Sequence, residues 1–68
     1  MAVLKVIEVL ASSKTSWEDA AKNAVKSASK SLQAIRSIYI KEQSAVVENG
    51  EIAEFRINAK ITFEVLED

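Results

Sequence analysis

The side chains able to do chemistry in this sequence are few. There is no His and no Cys. The commonest general base and transition-metal ligand are therefore missing, and with them every thiolate chemistry. The serines have no such partner to activate them, and no lysine is expected in the dry setting that a Ser–Lys pair needs. The residue types do not support catalysis, and the expectation is a protein that is not an enzyme. What remains is suited to binding. The acids Glu8, Glu42, Glu48, Glu51, Glu54, Glu64, Glu67 and Asp68 carry oxygen donors of the kind calcium takes, but without the spacing of a calcium-binding loop. Most of them read as solvated charges on strand faces. Arg56 can make a cross-strand pair or hold an anionic group of a ligand. Tyr39 can offer a ring to a ligand or pack across a subunit boundary. Trp17 could stack on a planar ligand, but its position favours anchoring a helix in the core.

These residues must be held by a small frame. The chain has 68 residues and a net charge of −1. A domain of this size buries only about 60% of its unfolded surface, so small chains add a disulfide, a metal or further subunits. Without Cys or His, oligomerisation is the expected reinforcement. The near-neutral charge and absent basic stripe argue against nucleic acid. No apolar run is long enough to span a bilayer, and Lys5 and Glu8 interrupt the first one, so neither a membrane span nor a signal peptide is expected and the expected location is cytoplasmic. Gly50 is the only glycine and there is no proline, which excludes glycine-rich phosphate loops.

The clearest element is Glu54 to Leu66. Phe55, Ile57, Ala59, Ile61, Phe63 and Val65 alternate with Glu54, Arg56, Asn58, Lys60, Thr62 and Glu64. Period-two alternation predicts a long strand with one buried and one wet face. Asn49-Gly50 just before it matches a two-residue type I′ turn, so Ser37 to Glu48 is predicted to be the partner strand, with a bulge near Glu42 to Ser44 where its pattern blurs. Val3 to Leu10 reads as a first strand, apolar on parts of both faces, followed by a polar connection from Ala11 to Lys14. Thr15 with Glu18, or Ser16 with Asp19, has capping-box spacing. The stripe Trp17, Ala20/Ala21, Ala24/Val25, Ala28, Leu32 and Ile35 predicts a helix of about 18–20 residues ending near Arg36. The fold class is thus α+β: one domain over residues 1–68, in the order β-α-β-β, with a three-stranded antiparallel sheet curled around one helix. The hairpin outreaches the helix by about 10 Å, an overhang that a symmetric oligomer would cover.

Taken together, Lys5-Val6-Ile7-Glu8-Val9, Thr15-Ser16-Trp17-Glu18-Asp19-Ala20-Ala21, Ile38-Tyr39-Ile40-Lys41-Glu42 and Ile61-Thr62-Phe63-Glu64-Val65, in this order and spacing, resemble the dodecin family over nearly the whole chain. The resemblance implies a hollow homo-dodecamer of cubic symmetry built from trimers. It also implies storage of a flavin (riboflavin, FMN or FAD) in pockets between subunits. Flavin-binding dodecins carry a stacking Trp early in the second strand and a ring-edge Gln in the third. Those positions fall on Ser37 and Arg56, neither of which reproduces the contact: Ser cannot stack, and Arg only donates hydrogen bonds. The resemblance therefore implies weakened flavin binding. The Ser-Trp-Glu helix start and the Ile-Arg-Ser stretch look more like a calcium-binding branch of the family that lacks the Trp, and the metal ligands are not assigned residue by residue.

Overall fold

The computed structural model describes residues 3–65, and three strands and one helix account for nearly all of them. Strand β1 spans Val3–Ser13, helix α1 Trp17–Ala28, strand β2 Ile35–Glu48 and strand β3 Glu51–Val65. The sheet order is β1-β3-β2 and both pairings are antiparallel. The strand with the cleanest alternation is therefore the central one. Its Ile57, Ala59 and Ile61 are buried under the helix, and Ala20 and Ala24 are the helix residues pressed onto the sheet. Val9 and Ala11 from β1 and Ile38 and Ile40 from β2 close the core around them. Alanine on the helix lets the two backbones approach closely, so a short helix can sit in the curve of the sheet.

The helix start resolves the two capping alternatives. Ser16 is the N-cap and its Oγ accepts from the Asp19 backbone N–H at 2.9 Å. Asp19 also accepts from the Ser13 hydroxyl at 2.6 Å, which ties the helix to the end of β1. Trp17 sits in the first turn, meets Phe55 edge to face at 4.8 Å and donates from Nε1 to the Ser44 carbonyl at 2.9 Å. It is an anchor of helix to hairpin rather than a ligand platform.

Three expectations need correction. The helix has 12 residues rather than about 18–20. Serines recur at 27, 29 and 31, and serine side chains compete for helix carbonyls. Ser29 Oγ donates to the Val25 carbonyl at 2.8 Å, and the next bonds tighten to three-residue steps, Lys30 to Ser27 and Ser31 to Ala28. Leu32 and Ile35 thus lie beyond the helix. Second, Ala11 to Ser13 are not a connection. They continue β1 opposite Ile57, Arg56 and Phe55, because pairing with a long central strand outweighs the local polarity of two serines. Third, β2 starts at Ile35, and its register shifts at Arg36 and at Lys41, just before the expected window. The Lys41 bulge reverses the faces downstream, so Ala45, not Val46, continues the buried face of Ile38 and Ile40. A further irregularity falls at Ala53 in β3, between the Glu54 and Ile52 pairings. The predicted Asn49-Gly50 turn is present, with φ of 52° and 77°. Of β3, Leu66 lies outside the described residues.

The helix rises about 18 Å while the hairpin strands run about 45–50 Å. The 53 Å long axis of the molecule is therefore the hairpin, and its tip extends well past the helix. Val47 and Ile52 near that tip are exposed, as are Leu4, Val6 and Leu10 on the sheet face away from the helix.

Two substitutions test this packing in urea unfolding at fixed protein concentration. Ile57→Ala, at a 2% exposed site, should cost about 2–5 kcal/mol. Ala34 has a left-handed φ of 57°, so Ala34→Gly should stabilise by about 0.5–1 kcal/mol, the released strain exceeding the added chain entropy.

Candidate functional site

The face of the sheet that the helix leaves open carries Ser37, Tyr39 and Arg56, together with Glu8 and Glu42. Register fixes its rungs from β1 through β3 to β2. They read Val6–Thr62–Ser37, Glu8–Lys60–Tyr39, Leu10–Asn58–Glu42 and Ser12–Arg56–Ser44. Side chains within one rung are direct neighbours, and successive rungs are two residues apart along β3.

Ser37 and Tyr39 lie on adjacent rungs and both are exposed, Tyr39 at 65%. Arg56 lies on the same face but not beside them. Ser37 pairs with Thr62, and the six-residue separation of Thr62 from Arg56 along β3 amounts to about 20 Å. One chain cannot place Ser37 and Arg56 on the same small molecule. A ligand that touches both positions bridges two copies.

The arginines differ in how they are engaged. Arg36 binds Glu64 through both Nε and Nη2, at 3.2 and 3.0 Å, and pins the start of β2 to the end of β3. Arg56 has Glu54 only at 4.0 Å. Lys41, displaced by its bulge, reaches across the central strand to Glu8 at 3.6 Å. The Asn58 amide and the Lys41 ammonium hold the Glu8 carboxyl below its ordinary range. A carboxylate lowered in this way contributes stability above its unfolded pKa, which is lost as pH falls through the lowered value. The pair is exposed and the contribution correspondingly small. The Asn58 Oδ1 is buried without a hydrogen-bond partner among the described residues.

The remaining acids do not converge. Glu48 and Glu51 face each other at the hairpin tip, Glu64 is taken by Arg36, and Glu67 and Asp68 lie outside the described residues. Among the described residues, no three acids lie close enough to hold a metal ion. Calcium takes six to eight oxygens, which the carboxylates of one chain do not assemble. A calcium site would need donors from more than one copy or from backbone carbonyls.

Two hollows flank the sheet. One, of about 580 Å³, lies on the open face around Arg56, with Leu10, Ser12, Glu42, Ser44 and Glu54 in its lining. The other, of about 490 Å³, runs between β1 and the small residues Ala24, Ser27 and Ala28 of the helix. The sequence pattern does not reveal Ser12 and Ser44 as companions of Arg56, because Ser12 falls in a polar run and the register of Ser44 depends on the bulge. The signal that could have placed Ser12 was the length of β3, which needs an equally long partner.

The comparisons with known proteins agree with this geometry. A family model described as Dodecin matches residues 3–66. A calcium dodecin of Mycobacterium tuberculosis is 37% identical over 65 residues, covering 96% of this chain and 92% of that protein. The crystal structure of a calcium dodecin from M. tuberculosis aligns with a TM-score of 0.82 at 37% identity, covering 97% of this chain and 94% of that one. Dodecin from Streptomyces coelicolor aligns more tightly, at 0.93 and 25% identity over 98% and 96% of the two chains. A Thermus thermophilus protein, tt0972, gives 0.94 at 22% identity over the full length of both and supports the fold alone. The β-α-β-β order, the long bulged hairpin with its open face, and a family match across almost the whole chain lead to one assignment: this chain belongs to the dodecin family.

Proposed function

We propose that this protein is a non-enzymatic dodecin-type shell, a hollow dodecamer built from trimers, that binds and sequesters a small ligand, with calcium as that ligand and flavin binding weakened. The observation that carries the reading is Ser37. It stands exposed on the open sheet face, at the position where flavin-binding dodecins present a stacking Trp. A lost aromatic stack removes about 0.5–1.5 kcal/mol beyond burial, and symmetry repeats the loss at each site. At about 1.4 kcal/mol per factor of ten, each lost stack lowers affinity for a flavin ring about two- to twelvefold. Arg56 at the second contact position removes the hydrogen-bond acceptor that Gln supplies.

Calcium is supported by the 37% identity to a calcium dodecin and by the spread of carboxylates along the open face and hairpin tip. These are acids that self-association can bring together where one chain does not. The assembly is supported by the overhang. Leu10 at 80% exposure, with Leu4, Val6, Val47 and Ile52, leaves more apolar surface uncovered than so small a chain tolerates. Both sheet edges, β1 and β2, are also unpaired.

Two experiments check this. Light scattering with absorbance on the same peak should give the mass of a dodecamer without a flavin band, and calorimetry with calcium should show saturable heat and a raised melting temperature. A monomer or dimer would overturn the shell, and a stoichiometric flavin band or no calcium heat would overturn the ligand. In a separate experiment, Ser37→Trp combined with Arg56→Gln should raise riboflavin affinity at least tenfold, read by quenching of flavin fluorescence. An unchanged affinity would mean that these two positions do not set the preference.

A further inference from the structure

Arg56 sits in the middle of a rung whose flanking positions are both serine. Ser12 on β1 and Ser44 on β2 are its direct partners. All three are exposed on the open face and line the same 580 Å³ hollow. Among the described residues the hydroxyls of Ser12 and Ser44 make no hydrogen bond, while their backbone carbonyls accept from Asn23 and Trp17 respectively. Arg36 is engaged by a carboxylate at 3.0 Å, whereas among the described residues the nearest carboxylate to Arg56 is at 4.0 Å. A guanidinium between two hydroxyls, roughly 5 Å to each side by strand spacing, presents a line of donors matched to a planar or tetrahedral oxyanion.

From this geometry we infer that Ser12, Arg56 and Ser44 form an anion subsite that takes the carboxylate or phosphate group of a small ligand. Glu42 and Glu54 also line the hollow. Their charge opposes a free anion, so binding depends on the guanidinium fork and the two hydroxyls rather than on net attraction. The subsite uses residues of a single chain and does not depend on calcium being the shell's cargo, so the two readings can fail separately.

The test is a titration of the assembled protein, in calcium-depleted buffer at constant ionic strength set with chloride. Acetate and inorganic phosphate are the probes, and the arginine Nε–H resonances are followed by NMR. A saturable shift of Arg56 with Arg36 unmoved is the expected result. Saturation by acetate alone assigns a carboxylate source, by phosphate alone a phosphate source, and by both the shared oxyanion chemistry. Arg56→Gln should weaken binding of the responding probe at least tenfold, read by calorimetry. The Ser12→Ala, Ser44→Ala double variant should weaken it about three- to tenfold while Arg56 keeps its charge. Light scattering confirms that each variant keeps the parent mass, and Arg56→Lys serves as the folded variant if Arg56→Gln does not assemble. No saturable shift of Arg56, equal shifts at Arg36, or affinities unchanged in the variants would overturn the inference.

Discussion

A twelve-residue helix cannot cover strands of fourteen and fifteen residues, and most features of this molecule follow from that mismatch. The helix is laid against the middle of the central strand, where Ala20 packs with Ile57 and Ala59. Among the described residues the dry core lies there. Burying each isoleucine is worth about 1.5–3 kcal/mol, and the helix cap, the Ser13–Asp19 bond and the Trp17–Ser44 bond all hold the helix in that one place. Beyond it, the hairpin carries apolar residues, Val47 and Ile52, that are exposed among the described residues.

The same mismatch gives the sheet its two characters. The face under the helix is a core built from one row per strand. The opposite face is a mosaic of rungs in which apolar, charged and hydroxyl residues alternate, spread along a molecule 53 Å in length. Bulges at Arg36 and Lys41 add an extra residue to β2. One lets Arg36 clamp Glu64, and the other sends Lys41 across the central strand to Glu8. Both are partly exposed pairs of small energetic weight, and neither is required by the hydrophobic pattern.

Ser37, Tyr39 and Arg56 are not gathered by the fold of one chain. Ser37 with Tyr39 occupies one part of the open face and Arg56 with its serines another, some 20 Å along the same strand. An antiparallel hairpin puts its early and late residues near one another only when they share a rung, and these do not. A ligand that touched both parts would have to bridge two copies.

The sequence by itself determined what strict periodicity and special backbone residues can encode. The alternation from Phe55 to Val65, the Asn49-Gly50 turn, the Ser16 cap and the antiparallel order follow from side-chain direction and local sterics, which act over a few residues. It also determined what chemistry is missing, since no fold supplies a His, a Cys or a ring at position 37. Tertiary structure decided the rest. It ended the helix at Ala28, where Ser29 takes back a carbonyl, although the apolar stripe continued to Leu32 and Ile35. It drew Ser12 and Ser13 into β1, because the long central strand supplied hydrogen-bond partners that local composition could not reveal. It placed the Lys41 bulge, which reversed the faces of Ala45 and Val46, and so decided that Ser44 rather than Gln43 stands beside Arg56. The strand extension and the bulge depend on pairing between residues far apart in the chain, and a pairing register is a property of two strands that neither strand's own pattern specifies; the helix end turns instead on the local Ser29–Val25 bond.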